Sequence, residues 1–429
     1  MRTSMVCVAR GRCRRFPWFS LLAGWLLAWP ALAALSIPSD GSDGELFIAT
    51  NTVIDLGQAV DGAWDADNSA QAGRGIYDAS RWAVVFKYSA VTIASGATLS
   101  FTNHPSRAPV VWLVSGDVVI AGTLSVKGGN YVATPGLAEP GPGGFRGGMA
   151  YFTSGVAGSG GFGPGGGAAT GNTSSGGSYG SVGVGGGPGP AYGNPSLIPL
   201  LGGSGGGGDI DNSQPGGAGG GAILVACGGT LTLTGTISAN GGNSANPGYN
   251  AIGGNGSGGG IRLVADTLAG TGVVQAIGGT VGNPGGLGRI RIERVTNTSV
   301  LQVTPDPSVV ALADGATPLL WPPDDAPRVR IVSIGGEAVP DDPRAAFGAA
   351  LPDVTIAQAA TTTVIVETTH VEEAAQVFVR ATPRSNASYV RVQASSHEVV
   401  SADPLVIHWT VVVPAPVGYS GLQAHVIRP

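Results

Sequence analysis

The sequence predicts an all-β protein: a Gly-rich parallel β-solenoid, similar to a β-helix, that carries a polyglycine-rich insert and is followed by an immunoglobulin- or fibronectin-III-like β-sandwich. Three observations predict it. Strand-like runs of aliphatic and β-branched residues recur with a fixed alignment, and glycine accounts for 74 of 429 residues. No segment after the N-terminal region has the periodicity of a strong helix.

Composition supports a folded chain. Charged residues make up 11% of the sequence, against about 25% in an average globular domain. The apolar fraction is 43% and the mean hydropathy is positive, whereas disordered chains are polar and rich in charge. The chain therefore folds with small and β-branched side chains rather than with the usual charged surface.

Residues 1–33 have the three parts of an export signal. Five arginines precede an apolar run at 16–29, and Ala31-Leu32-Ala33 provides small residues for cleavage. The apolar run is shorter than the roughly 20 residues of a membrane span. We expect an exported protein, secreted or at the cell surface, with no transmembrane span in the mature chain.

Cleavage changes the charge and the cysteine count. Removing the signal's five arginines from 22 basic residues leaves 17 against 27 acidic ones, a net charge of −10. That charge disfavours nucleic acid as a partner and leaves extracellular glycans or cell-surface proteins as the expected partners. The remaining thiol, Cys227, has no partner for a disulfide.

The mature chain divides into three zones. Residues 34–303 form the predicted β-solenoid domain, with its Gly-rich insert at about 141–220. Residues 304–325 are rich in proline and form a predicted linker. Residues 326–429 form the predicted β-sandwich, because alternating apolar runs return there between Pro, Asp and Gly clusters.

Internal repeats define the solenoid. Setting Gly122 on Gly235 aligns two copies without a gap, and a weaker third copy places Gly272 in the same column. Each copy is two short β runs joined at a corner of small residues, and such repeats indicate stacked units. The copies are VVWLVSGDVVIAGTLSVKGGN (110–130), ILVACGGTLTLTGTISANGGN (223–243) and IRLVADTLAGTGVVQAIGGT (261–280).

The insert permits two interpretations. A glycine-rich segment is commonly a flexible linker. This one also contains aromatic residues and the apolar run Ile198–Leu201, and it leads directly into strand copies. Extended glycine-rich chains can pack side by side as polyglycine or polyproline-II-like helices, since glycine alone allows that backbone approach. We expect ordered packing, with a flexible loop as the alternative.

One family resemblance follows from these motifs. The stretches PLLGGSGGGG, GGAGGGAILVACGGTLTLTGTISANGG and GSGGGIRLVADTLAGTG, followed by GRIRIE, resemble secreted glycine-rich bacterial proteins with β-helix-like repeats. The resemblance covers roughly residues 90–295. It implies a surface or adhesin-like protein at an extracellular address, and it implies no catalytic residue.

Common catalytic motifs occur here without their context. Residues 202–206 match G-x-S-x-G and residues 161–166 match G-x-G-x-x-G, but neither stands between a strand and a helix. A glycine-rich zone produces such matches by chance. Cys227 aligns with Val114, which predicts a buried apolar role for its thiol. We therefore predict no catalytic and no cofactor-binding residue.

One strand face offers a hint of catalysis. Arg289, Arg291 and Glu293 alternate with isoleucines, so they share the outward face of one strand, and Arg262 stacks near Arg291 if the repeats align. Solenoid enzymes acting on acidic sugars carry such residues. The more frequent explanation is a solvated, ion-paired strand face.

Two acidic segments share the pattern D-x-D-N-S. Asp65 and Asp67 belong to the first, and Asp209 and Asp211 to the second. Clustered carboxylate and amide oxygens are what Ca²⁺ requires, so these four residues are the predicted metal ligands and Ca²⁺ the one predicted ion. The more frequent role of such residues is that each Asp caps its own turn.

The expected function is that of a non-enzymatic structural or adhesive protein of the envelope or extracellular matrix. Two alternatives stay open: a carbohydrate-active β-helix enzyme, either a polysaccharide lyase or a hydrolase, and a glycan-binding module on a solenoid stalk.

Overall fold

A computed structural model describes residues 34–131, 137–150, 158–170, 174–209, 215–244, 253–345, 351–385 and 388–429. The predicted signal segment lies outside these residues. Over the described ranges the protein is all-β, with two short 3₁₀ turns at Leu56–Gln58 and Ser69–Gln71. No helix in these ranges is long and apolar enough to cross a membrane.

Sixteen strands of the described chain precede residue 312 and form two sheets. Their β-branched and aliphatic residues favour extended backbone, and glycine or small residues end most of them. The strands are β1 (Gly44–Ile48), β2 (Thr52–Asp55), β3 (Val60–Asp61), β4 (Ile76–Asp78), β5 (Ala83–Ile93), β6 (Thr98–Thr102), β7 (Val110–Val114), β8 (Val118–Ile120), β9 (Thr123–Ser125), β10 (Ala222–Leu233), β11 (Thr236–Ser238), β12 (Gly260–Ala269), β13 (Val273–Gln275), β14 (Arg289–Asn297), β15 (Gln302–Thr304) and β16 (Ser308–Ala311).

The two sheets pack against each other through their inner faces. The first has the order β16-β14-β12-β10-β7-β5-β4-β3, with β1 paired to β5 and β8 paired to both β5 and β10. The second has the order β15-β13-β11-β9-β6-β2. Every pairing is parallel except that of β4 with β5. Successive repeats of the chain therefore add one strand to each sheet.

The register follows the sequence repeat. Thr236 pairs with Thr123 on one side and with Val273 on the other, which places Gly122, Gly235 and Gly272 in one column. Cys227 pairs with Val114. The alignment predicted from the three copies is confirmed as strand register.

The inner faces of both sheets share the main core. Leu124, Ile237 and Val274 of the second sheet pack there with Ile120 and Leu233 of the first. Strand β7 is buried on both faces, because a second apolar cluster covers its outer side. That cluster contains Val111, Leu113, Leu224, Ala226 and Val264.

The predicted linker contributes to this outer cluster. Strand β16 lies inside it and pairs with β14. Leu320 is buried, and Leu312 and Trp321 pack with it against the outer face of the first sheet. Residues 312–321 therefore lie across this sheet as a cover.

Glycine-rich segments pack side by side against the sheets, and we call them the glycine bundle. In residues 215–221, successive backbone N–H groups donate in rotation to 145–148, 254–257 and 126–129, at N···O distances of 2.7–3.1 Å. A repeat of three residues is the period of a polyproline II helix. The bundle comprises segments 126–130, 141–150, 158–168, 174–181, 202–209, 215–221, 239–244, 253–259 and 276–288.

A second segment shows the same rotation. Residues 254–259 donate in turn to 204–207, 283–286 and 239–242. A methyl group at Gly256 would overlap the carbonyl oxygen of Ala218, so glycine is required where two backbones approach this closely. The described part of the insert is ordered as predicted, and most of it is buried.

Eight further strands form two antiparallel sheets, with orders β18-β17-β19-β23-β22 and β21-β20-β24. Val366 and Trp409 of the first sheet share one core with Val377 and Val379 of the second. We call this part the C-terminal domain. Its strands are β17 (Arg328–Ile334), β18 (Glu337–Ala338), β19 (Thr361–Thr369), β20 (Gln376–Pro383), β21 (Val390–Gln393), β22 (Ser396–Ala402), β23 (Leu405–Pro414) and β24 (Ser420–Ile427).

Candidate functional site

The first D-x-D-N-S segment lies in an exposed loop after β3. Asp67 accepts hydrogen bonds from the backbone N–H of Ser69, at 2.8 Å, and from the Ser69 hydroxyl. These bonds lower the pKa of Asp67. Asn68 is buried, and its Nδ2 donates to Asp43 Oδ1 at 2.6 Å. Asp67 and Asn68 thus have turn and core contacts that involve no ion.

A lysine ammonium already lies beside this loop. Lys87 is 2% exposed, and its Nζ donates to Asp40 Oδ2 at 2.7 Å and to the carbonyl oxygens of Asp65 and Ala66. The side chain crosses from the first sheet to hold the loop. A fixed positive charge therefore lies against the backbone of the loop in which the sequence predicted a cation.

The second D-x-D-N-S segment lies elsewhere. Asp209 is fully buried in the glycine bundle, and Asp211 falls outside the described residues. Within the described ranges no group of three or more His, Cys, Asp or Glu side chains could hold a metal ion. The described carboxylates are not gathered into one site, and calcium binding stays a prediction.

The strand face that carries Arg262, Arg291 and Glu293 is largely buried, whereas the more frequent expectation for such a face is exposure to solvent. Arg262 is 1% exposed; its Nε donates to Glu293 Oε1 at 2.9 Å and its Nη2 to the Leu319 carbonyl at 2.6 Å. Arg291 Nε donates to the same Glu293 oxygen at 3.1 Å. Burial lowers the pKa of Arg262. The cover at 312–321 buries this ion cluster, so a polymer has no groove here.

The motif-like glycine runs are parts of the bundle. Ser204 is fully buried; its Oγ accepts from the Gly165 N–H and lies 3.0 Å from the Tyr192 hydroxyl. Cys227 is also fully buried, and burial raises the pKa of its thiol to about 12. The predicted apolar role of Cys227 is confirmed.

A small pocket of about 410 Å³ lies beside Tyr77 and Asp342. The Tyr77 hydroxyl donates to Asp342 Oδ1 at 2.6 Å, and Arg344 Nη2 donates to Asp342 Oδ2 at 3.0 Å. The His104 ring stacks on Tyr77 with centroids 4.0 Å apart. His104 Nδ1 accepts from the Ser106 N–H at 3.2 Å, which assigns the proton to Nε2 when the ring is neutral.

A larger cleft of about 1100 Å³ separates the glycine bundle from the C-terminal domain. Aromatic side chains of Trp82, Phe145 and Tyr419 line it. Arg146 forms part of its wall and donates from Nε to Glu139 Oε1 at 2.7 Å and from Nη1 to the Ala345 carbonyl at 2.9 Å. The cleft joins an apolar surface to fixed hydrogen-bonding groups.

Arg380 joins the two regions beside this cleft. Its Nη2 donates to the carbonyl oxygens of Gly161 and Gly166 at 2.9 and 3.0 Å. The guanidinium lies 3.4 Å from the centroid of the Tyr389 ring. Burial lowers the pKa of Arg380 to about 10. The sequence did not predict this contact, because Gly161 and Gly166 each precede Arg380 by more than 210 residues.

Comparison of the chain with protein-family models, curated proteins and solved structures gave no match.

Proposed function

We propose that this chain is a non-enzymatic, exported structural or adhesive protein of the cell surface or extracellular matrix. One observation carries the proposal: the charged and nucleophilic side chains singled out by the sequence hold the fold together. Arg262 and Glu293 pair beneath the cover at 312–321. Lys87 ties down a loop, and Ser204 is enclosed in the bundle.

The proposed architecture is a β-solenoid with a glycine bundle on one side and an immunoglobulin- or fibronectin-III-like sandwich that packs against that bundle. Support for the solenoid comes from parallel pairing between successive repeats in two sheets. Support for the sandwich comes from the two antiparallel sheets that share a core. In this arrangement the rigid body presents the C-terminal domain to a partner.

The test of this proposal combines localisation and attachment. The full chain and a variant lacking residues 1–33 are expressed, and we expect only the former outside the cytoplasm. Purified residues 34–429, coated on a surface, should retain cells above an albumin control. Retention equal to albumin, or depolymerisation of any polysaccharide in a panel, would contradict the proposal.

Glycan binding in the cleft is the second candidate, favoured by the aromatic and arginine lining described above. Tyr419, 36% exposed, provides an apolar ring beside the Arg146 wall. On a glycan array, Tyr419→Ala should lose the signal of the purified chain. Phe47→Ala is the matched control, because Phe47 is 64% exposed and does not line the cleft. Equal signals from both variants would exclude the cleft.

A further inference from the structure

The outer face of the three-stranded sheet β21-β20-β24 carries positive charge and no carboxylate. Residues of these strands alternate between the core of the C-terminal domain and the outer face. Arg380 pairs with Arg391 on one side and with Gln423 on the other. The outward residues are Gln376, Phe378, Arg380, Thr382, Arg391, Gln393, Gln423, His425 and Ile427. None of them is acidic, although the chain without its signal has a net charge of −10.

The glycine bundle covers only part of this face. Arg380 is 2% exposed because it lies against the bundle, and Gln423 Oε1 accepts from the Gly163 N–H at 3.1 Å. The next row of the sheet is open to solvent. It consists of Phe378, Arg391, His425 and the exposed amides Gln376 and Gln393, and we call it the arginine patch. None of these five residues lines the cleft described above.

Two contacts fix the guanidinium of Arg391. It lies 3.7 Å from the centroid of the Phe378 ring, a cation–π contact, and its Nε donates to His425 Nε2 at 2.9 Å. The His425 ring stacks on Phe378 with the centroids 5.2 Å apart. His425 accepts this hydrogen bond because it is neutral, since burial and the nearby arginines lower its pKa to about 4. The guanidinium is therefore oriented at neutral pH before anything binds, which reduces the entropy lost on binding.

The remaining donors of Arg391 are Nη1 and Nη2. Neither has a hydrogen-bond partner in the described chain, and no described carboxylate pairs with this exposed side chain. Arg330 and Arg428 of the same domain differ, since both pair with carboxylates. Two parallel N–H groups of a guanidinium match the two oxygens of a carboxylate. Arg391 thus presents an oriented pair of donors to a carboxylate from outside the described chain.

We propose that the arginine patch binds the carboxylate groups of an acidic polysaccharide. Gln393 pairs with Phe378 and Gln376 precedes it by two residues, so amides that donate and accept hydrogen bonds flank the guanidinium and suit sugar hydroxyls. The Phe378 ring already contacts Arg391 and His425, so little of it remains to bind a peptide side chain. The negative charge of the whole chain repels polyanions, so the affinity depends on this local site. Many copies on one surface bind a polymer together.

The experiment measures binding of purified residues 34–429 to immobilised polygalacturonate and to its methyl ester, which has the same backbone without the charge. We expect the wild type to bind the acid form only, and Arg391→Met to bind it at least tenfold more weakly. Arg391→Lys keeps the charge but not the two parallel N–H groups, and it should also bind several-fold more weakly. Arg328→Met is the matched control, because Arg328 is an exposed strand residue of the same domain outside the patch; it should bind as the wild type does.

Wild type that does not bind polygalacturonate, or binds the methyl ester equally well, would overturn the proposal, as would equal affinities of the wild type and Arg391→Met. Binding to polyglutamate as tight as to polygalacturonate would show that the partner is an acidic peptide and would also overturn it. Circular dichroism melting checks that each variant folds, and if Arg391→Met does not, Arg391→Lys decides. The adhesive function is tested separately: wild type that retains cells without binding polygalacturonate would overturn the role of this patch alone.

Discussion

The glycine bundle and the C-terminal domain solve the same problem in opposite ways. The bundle buries backbone by giving each segment several hydrogen-bonded neighbours, and side chains are absent where the backbones approach. The C-terminal domain pairs its backbone within sheets and fills the space between them with valine and tryptophan. A buried chain must therefore first have hydrogen-bond partners for its backbone N–H and C=O groups. These groups can then be enclosed either by neighbouring backbones, as in the bundle, or by apolar side chains, as in the C-terminal domain.

The difference predicts opposite sensitivities to added volume. Gly256→Ala should lower the free energy of unfolding by about 3 kcal/mol, because the new methyl overlaps a backbone carbonyl that cannot rotate away. Gly186→Ala is the control, since that glycine has open space around it and should lose nothing. Urea unfolding measures both. Equal midpoints would show that the bundle is loosely packed.

The junction between the two regions gives the next largest effect. Arg380→Met removes a buried guanidinium and leaves two carbonyls without their donor, which should cost about 3 kcal/mol or slightly less. Arg330→Met is the control, because Arg330 is 59% exposed and pairs at the surface, where such pairs contribute about 0–1 kcal/mol. Hydrogen exchange should show faster opening on both sides of the junction in Arg380→Met. Unchanged exchange at 161–166 would contradict this role.

Acid should weaken the C-terminal domain before the bundle. Burial, with Arg391 and Arg380 nearby, lowers the pKa of His425 to about 4, and Arg391 Nε donates to its Nε2 at 2.9 Å. In the unfolded chain His425 takes up a proton near pH 6.5, whereas in the folded chain it stays neutral until about pH 4. The stability that neutral His425 contributes is therefore fully present above pH 6.5 and is lost as the pH falls toward 4. Thermal melts across this range should show a smaller decline for His425→Gln. Parallel profiles of the two proteins would reject the assignment.

The smallest effect belongs to the acidic loop. Asp67→Asn keeps the oxygen that accepts from Ser69, so its melting midpoint without calcium should match the wild type, and Asp67→Ala should melt slightly lower. If Asp65 and Asp67 bind calcium, CaCl₂ at about 1 mM raises the wild-type midpoint and not that of Asp67→Asn. Identical midpoints of the wild type with CaCl₂ and with chelator would leave turn formation as the role of Asp67.

Sequence patterns predicted local features well. The column of Gly122, Gly235 and Gly272 fixed the register, because a repeat that stacks on itself places equivalent residues side by side. Alternating apolar runs indicated the strands of the C-terminal domain, but they do not mark the short β18 or β22 (Ser396–Ala402). The residues of β22 are mostly exposed, because it is an edge strand that buries neither face.

The repeats bury their aliphatic residues on two sides of the first sheet, which their alignment alone does not predict. Val111, Leu113, Leu224 and Ala226 face the outer cluster, whereas Val118, Ile120, Leu231 and Leu233 face the main core. Alternation separates odd from even positions, and a cover from elsewhere in the chain buries the outer set.

Long-range contacts account for the rest of what the sequence did not predict. The pattern around Arg262 marks an outward face, but burial there depends on residues 312–321, whose position is set by packing. Tyr77 and Asp342 are 265 residues apart, and no spacing rule connects them. The charge beside Asp65 comes from Lys87, which reads as an ordinary strand residue.

The rotation of hydrogen bonds in the glycine bundle has a consequence for the order of synthesis. Segment 126–129 needs partners from 215–221, which in turn need 254–257. Loop closure over such distances is slow, because the entropy is lost before the contacts form. The bundle includes segment 276–288, so the ribosome must release nearly three hundred residues before the bundle can close. Until then the glycine-rich segments of the nascent chain remain unfolded.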